Sequence, residues 1–377
     1  MYSNKTKRDS MKLPEHITNL PAYTPIEPFD ILSARIGRSP QDIIKLDANE
    51  NPYGMSPRAR KALAELEFPH IYPDPESRAL RSALEAFTSV PAANLLPGSG
   101  ADELIDLIMR VVLEPGQAII NCPPTFGMYA FDADLNAARI IDVPRRQDFS
   151  VDVERVIAQA EKHAPRLIFL TTPNNPDGSL IKPTELDRLL NLPALIVLDE
   201  AYIEFADPHG LGKNLSRISE VPRRDNLIVL RTFSKLAGLA GLRVGYGAFP
   251  TWLMPTLWKA KQPYNVNVAA STAAIAALED TSYLEDIVSR LVADRERMRK
   301  GLENIPYLSP YPSNSNFILC RVIGRDAAML KASLANDYGI FIRYFNKTGL
   351  QDCIRISVGR PEQIDAVLKA LVELQKT

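Results

Sequence analysis

Among the residues of this chain that could do chemistry, Lys235 has the most suggestive neighbours. It closes the run Arg231-Thr232-Phe233-Ser234-Lys235, and the glycine-rich stretch GLAGLRVGYG (238–247) follows. A lysine desolvated beside other cations gives up its proton and can form a Schiff base with a carbonyl. Arg243 supplies a neighbouring cation, and with Thr232 and Ser234 it offers the donors that hold a phosphate monoester. A solvated surface charge is the plainer reading of the same lysine. Asp199 ends the apolar run Leu195–Leu198, where a carboxylate is costly unless it meets a cation or a donor. A protonated ring nitrogen of a cofactor would satisfy it, and so would a nearby arginine. Tyr202, three residues on, offers its hydroxyl to a cofactor oxygen or packs in a core.

Three further clusters belong with these. Gly98-Ser99-Gly100-Ala101-Asp102 puts bare backbone before a helix start, where free N–H groups and the helix dipole favour a phosphate. Alone it also reads as a tight turn with Asp102 in the first helical turn, and it is neither a Walker loop nor the full dinucleotide fingerprint. Asn175 lies in PNNPDG (173–178); its amide suits a phenolic oxygen, while the run as a whole has ordinary turn composition. Arg343 and Arg355 lie on strand-like segments near the C-terminus. Arginine pairs bidentately with carboxylate or phosphate, although exposed strand cations would look the same.

Bringing these clusters together needs a scaffold, and the hydrophobic pattern describes one. Short apolar runs at Ala118–Cys122, Leu167–Leu170, Leu195–Leu198 and Leu227–Leu230 each end at a polar loop. Such strands suit a sheet buried on both faces. In open α/β sheets, ligands sit beyond the carboxyl ends of the strands, where three of the clusters fall. Leu104, Ile108, Val111 and Val112 recur at helical spacing after Gly98–Asp102, and a further helix is expected over Arg58–Leu66. Prolines keep residues 69–77 out of helix. After about residue 265 the pattern predicts a long charged helix over Tyr283–Leu302, then a strand at Phe317–Val322. A helix at Ala327–Tyr338, strands at Phe341–Tyr344 and Ile354–Val358 and a helix at Ile364–Leu374 complete it. The expected fold class is α/β: a doubly wound, largely parallel sheet plus a smaller α+β unit.

Composition narrows the function classes. The 377 residues suffice for two packed units. With 44 Lys+Arg against 45 Asp+Glu, no electrostatic case exists for nucleic acid or a membrane surface. No apolar run approaches the ~20 residues needed to span a bilayer. The polar start MYSNKTKRDSMKLPEH lacks the apolar segment of a secretory signal. Three scattered cysteines and four histidines without ligand spacing predict neither a disulfide framework nor a metal site. A cytoplasmic, reducing location is expected.

Read together and in order, PNNPDG (173–178), LDEAYIEF (198–205) and RTFSKLAGLAGLRVGYG (231–247) resemble the fold type I pyridoxal-phosphate aminotransferases, the histidinol-phosphate aminotransferase branch in particular. LDANENPYG (46–54), IYPDPES (71–77), GADELIDLIMR (100–110), CPPTFGMY (122–129), SNFILC (315–320) and IRISVG (354–359) extend the resemblance over nearly the whole chain. It implies a large domain over 46–270 that binds pyridoxal 5'-phosphate. A small C-terminal domain over 271–377 and an N-terminal arm over 1–45 that partly joins it complete the expectation.

The implied roles follow residue by residue. Lys235 carries the Schiff base and moves the proton. Asp199 keeps the pyridine nitrogen protonated, and Tyr202 and Asn175 donate to the phenolic oxygen. Ala101 and Asp102 begin the phosphate site, which Ser234, Arg243 and Thr232 complete. Phe126 stacks on the ring, in place of a more usual tyrosine. Tyr72 reaches the phosphate of a second subunit, implying a homodimer. Arg355, Arg343 and Asn49 line the substrate site. Asp177 stands where many relatives have threonine and is expected not to touch the cofactor. The activity implied is amino transfer between L-histidinol phosphate and 2-oxoglutarate, giving imidazole-acetol phosphate and L-glutamate, in L-histidine biosynthesis. An aromatic amino-acid transaminase or a phospho-amino-acid decarboxylase of the same fold is the alternative. A non-enzymatic regulatory domain would have lost Lys235 or Asp199, and both are present.

Overall fold

The computed structural model describes residues 12–20 and 27–376. Twelve strands among the described residues form two sheets. The larger contains β2 (Leu95–Gly98), β3 (Ala118–Asn121), β4 (Arg139–Asp142), β5 (Leu167–Thr171), β6 (Leu195–Asp199), β7 (Leu227–Thr232) and β8 (Gly245–Ala248). Their order across the sheet is β2-β8-β7-β6-β5-β3-β4. Strands β4, β3, β5, β6 and β7 run parallel, while β8 is antiparallel to both β7 and β2.

Alternation along each strand explains why the sheet is buried on both sides. Leu195 and Val197 of β6 join Leu167 and Phe169 of β5 in one core, against the helices Ala101–Val112 and Met254–Ala260. Ile196 and Leu198 join Ile168 and Leu170 in the core on the opposite face. Side chains along a strand point alternately to the two faces, so both must be apolar here. Pro97, which has no N–H to give, lies in β2 at the sheet edge, where proline is tolerated. The apolar pattern missed β8 because Gly-Tyr-Gly-Ala has weak strand propensity; its pairing with two neighbours makes it a strand.

The smaller sheet has the order β1-β11-β12-β10-β9, with β1 (Ile44–Leu46), β9 (Leu308–Pro310), β10 (Phe317–Val322), β11 (Ile340–Tyr344) and β12 (Cys353–Ser357). Its β1 comes from the N-terminal region and pairs parallel to β11. Long-range pairing of this kind leaves no local signal. The helices Thr281–Glu303, Ala327–Tyr338 and Pro361–Glu373 lie close to their expected spans. The helix Val268–Leu278 is continuous through residue 270 and packs on Pro57–Ala64 and Arg78–Thr88. Within the arm, Glu15–Thr18 and Phe29–Ile36 are helical, and residues 1–11 and 21–26 lie outside the described residues.

Candidate active site

The strand order places the carboxyl ends of β5, β6 and β7 side by side, and each end carries a polar cluster. Asp199 is the last residue of β6 and is only 4% exposed. It accepts hydrogen bonds from the Tyr129 hydroxyl at 2.6 Å and the Ala201 N–H at 3.0 Å. Burial nonetheless pushes its carboxyl up to about 6. Near neutral pH it is thus a buried anion with a cation still to find. The Tyr129 hydroxyl, pushed well above its ordinary pKa by burial and by the Asp199 charge, stays a donor and also lies 2.8 Å from Thr171 Oγ1.

Beyond β7, Lys235 projects its Nζ to 3.2 Å from the Ala48 carbonyl oxygen and 5.8 Å from the Tyr202 ring centre. Among the described residues it has no carboxylate partner. Tyr202 accepts from Asn49 Nδ2 at 3.1 Å, which leaves its own hydroxyl proton to give. Asn49 is 1% exposed and sits at φ +56°, held by Ser357 on two sides: Ser357 Oγ accepts from Asn49 N at 2.9 Å and donates to Asn49 Oδ1 at 3.0 Å. Its carbonyl accepts from Asn316 Nδ2 at 3.0 Å.

The Gly98–Asp102 run forms a cradle. Gly100 (φ +81°) precedes the helix Ala101–Val112, and Arg243 from the β7–β8 connection crosses it. A Cβ at Gly100 would collide with the Arg243 guanidinium, and one at Gly245 would lie 2.7 Å from Ala101 N. Arg243 contacts Asp102 at 2.8 Å and lies 3.5 Å from Ser234 Oγ. The Arg243–Asp102 pair is about half exposed, so it is weak and exchangeable for another anion. Thr232 Oγ1 accepts from Ser234 N at 3.1 Å and shapes the turn.

Opposite this cradle, β12 supplies Arg355, 5% exposed. It donates to Asn175 Oδ1 and, at 2.9 Å, to the Asp47 carbonyl, and it lies between the Phe317 and Phe345 rings at 5.1 and 5.5 Å. Among the described residues the side-chain N–H donors of Asn175 have no acceptor. Burial, with Arg343 adding to it, pushes the Arg355 guanidinium down to about 10, so it is charged at neutral pH. Arg343 stands directly across from it on β11. Like charges opposite one another destabilise a sheet, an arrangement that a bound anion would relieve.

Of two further predicted residues, one borders this group through Tyr129 and the other lies on the surface. Phe126 is half-buried, edge-on to Tyr129 at 5.5 Å. Tyr72 is 79% exposed and stacks on the exposed Tyr264 at 4.7 Å. Asp177 is buried; it accepts from Asn174 Nδ2 and from Ser179 N at 2.8 Å, so it builds the turn that presents Asn175.

Sequence reasoning missed Tyr129, whose signal was its place in CPPTFGMY three residues after Phe126, and it missed Ser357 and Asn316. It also missed the buried group behind the strand ends. Arg231, 2% exposed, lies 3.0 Å from Glu204 and 4.0 Å from Glu200, tying β7 to the segment that carries Asp199 and Tyr202. Among the described residues no cluster of His, Cys, Asp and Glu could hold a metal, and no helix is long and apolar enough to cross a membrane.

The geometry suits one group well: a planar, anionic cofactor with a basic ring nitrogen. Its phosphate would enter the glycine cradle, its ring nitrogen would meet Asp199, and its reactive carbon would lie toward Lys235. The family model for class I and II aminotransferases matches residues 41–371. The chloroplastic histidinol-phosphate aminotransferase of Nicotiana plumbaginifolia is 55% identical over 357 residues, 94% of this chain and 85% of that protein. The histidinol-phosphate aminotransferase of Roseiflexus castenholzii is 52% identical over 366 residues, 95% and 96% of the two chains. The crystal structure of histidinol-phosphate aminotransferase from Sinorhizobium meliloti, in complex with pyridoxal-5'-phosphate, superposes with a TM-score of 0.87 at 29% identity, covering 97% of this chain and 98% of that one. Site geometry, fold and sequence agree: the chain belongs to the aminotransferase class I and II family, in its histidinol-phosphate aminotransferase branch.

Proposed function

We propose that this chain transfers an amino group between L-histidinol phosphate and 2-oxoglutarate, giving imidazole-acetol phosphate and L-glutamate, as a step of L-histidine biosynthesis. The observation that carries the reading is the juxtaposition of Lys235, which has no carboxylate partner among the described residues, with buried Asp199 and with two arginines, Arg343 and Arg355, across the cleft.

Pyridoxal 5'-phosphate fits the cradle, and when bound it supplies a carbonyl that takes up the amine and a ring that takes up electrons. The chain's own groups do the rest. The N–H groups of Ala101 and Asp102, with Ser234, Thr232 and Arg243, hold the phosphate. Asp199 keeps a proton on the ring nitrogen, and Tyr129 and Ala201 N–H hold that carboxylate in its ionised form. Asn175 and Tyr202 donate to the ring oxygen, and Phe126 covers the ring face. Lys235 Nζ would hold the cofactor through its carbonyl and, as the free amine, would take and return the proton at the substrate Cα. Asn49, Arg343 and Arg355 bind and orient the anionic substrate.

A homodimer belongs to this reading, with Tyr72 reaching the cofactor phosphate of the second copy. The exposure of Phe68, Ile71, Tyr72 and Tyr264 on one side of the chain's fold supports a protein partner there. A reducing, cytoplasm-like compartment suits the three buried free cysteines Cys122, Cys320 and Cys353.

The test is an absorbance spectrum of the holoenzyme before and after L-histidinol phosphate. Conversion of the cofactor band to that of its aminated form, reversed by 2-oxoglutarate, is expected. A band that ignores L-histidinol phosphate yet responds to phenylalanine or tyrosine would replace this substrate with an aromatic one. Release of carbon dioxide without any keto-acid acceptor would replace transfer with decarboxylation.

A further inference from the structure

The small-domain side of the cleft carries positive charge that the described carboxylates do not balance. Arg343 and Arg355 face each other across β11 and β12, and neither has an ion-pair partner among the described residues. Arg355 is only 5% exposed, and its Nε has no hydrogen-bond partner among the described residues. Asp47, whose charge Arg355 feels, is already paired with Lys45 at 3.1 Å.

A third cation comes to the same place from the turn between these strands. Phe345, just past β11, lies under both arginines, 5.5 Å from Arg355 and 5.9 Å from Arg343. Two residues later Lys347 extends toward the large domain, so that a Cβ built at Gly127 would lie 3.4 Å from its Nζ. Gly127 follows Phe126 and precedes the helix Met128–Leu135. An ammonium set against a helix N-terminus is unfavourable, because the free N–H groups are also positive. Lys347 has no ion-pair partner among the described residues to offset this. Its backbone is nevertheless held: Leu350, 1% exposed, anchors the turn and donates its N–H to the Lys347 carbonyl at 2.9 Å. Nearby, Thr125 bonds Asn174 at 2.9 Å, and the next residue, Asn175, accepts from Arg355. The ammonium therefore stands at the cleft that holds the two arginines.

We propose that Lys347 is a specificity-determining residue, a third cation that receives the phosphate monoester of the substrate at the cleft mouth beside Arg343. This rests on L-histidinol phosphate being a substrate. A phosphate monoester carries nearly two negative charges near pH 7, whereas the side-chain carboxylate of glutamate carries one. Lys347 therefore favours the phosphorylated substrate over both glutamate and L-histidinol, which offers an uncharged hydroxyl where the phosphate would be.

The test compares wild type, Lys347→Gln and Lys347→Arg as holoenzymes. Loss of one charge-assisted contact corresponds to about a tenfold change in affinity. The preference for L-histidinol phosphate over L-histidinol, read as a ratio of kcat/KM values, should fall about tenfold in Lys347→Gln and be largely kept in Lys347→Arg. KM for L-glutamate should rise by a smaller factor. Inorganic phosphate binding, followed by calorimetry with the cofactor in place, should weaken in the same order. An unchanged preference in Lys347→Gln, or an equal loss in Lys347→Arg, overturns the proposal. Wild type that transaminates glutamate but not L-histidinol phosphate overturns the substrate reading itself, and this role for Lys347 with it.

Discussion

Replacing Tyr129 with phenylalanine removes one hydroxyl from a stacked, fully buried ring, 4.9 Å from Phe169. That hydroxyl donates to Asp199 at 2.6 Å. A hydrogen bond to a charged group contributes about 1.5–3 kcal/mol, and one pKa unit corresponds to about 1.4 kcal/mol. Asp199, already pushed up to about 6 by burial, should therefore climb by about one to two units, to about 7 or 8. At pH 7 its ionised fraction then drops from about nine-tenths to somewhere between a half and a tenth. Cofactor binding needs the ionised carboxylate to face a protonated ring nitrogen, so affinity at pH 7 should fall by about two- to tenfold. It should recover at pH 9, where the carboxylate is ionised in both proteins. The assay is a fluorescence titration of the cofactor-free protein with pyridoxal phosphate from pH 6 to pH 9. A loss of affinity that is equal at every pH would refute the reasoning, because it would mean that the hydroxyl acts through packing and not through the Asp199 charge.

Lys235→Ala should fold normally, since the half-buried side chain makes one hydrogen bond, yet lose turnover; a melting temperature within a few degrees of wild type alongside absent activity is the expected pair of results. Gly100→Ala puts a Cβ into the Arg243 guanidinium at a positive φ, so cofactor affinity should fall about tenfold in an equilibrium titration, and unaltered affinity would count against the cradle. Glu200, which burial pushes up to about 7 despite Arg231, contributes stability that is fully present below its unfolded value of 4.5 and lost as pH rises through about 7. Urea unfolding of the cofactor-free protein should therefore weaken between pH 5 and pH 8, and Glu200→Gln should flatten that slope; an identical slope in the variant would dismiss Glu200 as its source.

What could be read in the chain alone was local chemistry in fixed order. Apolar strands ending at Asp199 and at Thr232, the glycines before Ala101 and the Asn-Pro-Asp-Gly turn each carry their meaning within a few residues, because strand burial, φ freedom and turn formation depend on near neighbours. The central strands of the two sheets and most of the clustered residues were legible for that reason, whereas β2, β4 and β9 were not. Other features depend on residues far apart in sequence. The pairing of β1 with β11, the strand made from Gly245–Ala248, the Tyr129 bond to Asp199 and the Arg231–Glu204 pair have no local signature. Each exists because the fold returns distant segments to one another, where a backbone edge or a buried polar group must find a partner or cost stability. The sequence by itself determined which residues could do the chemistry; the tertiary structure alone decided which of them face one another, because burial sets their charges and only packing sets their distances.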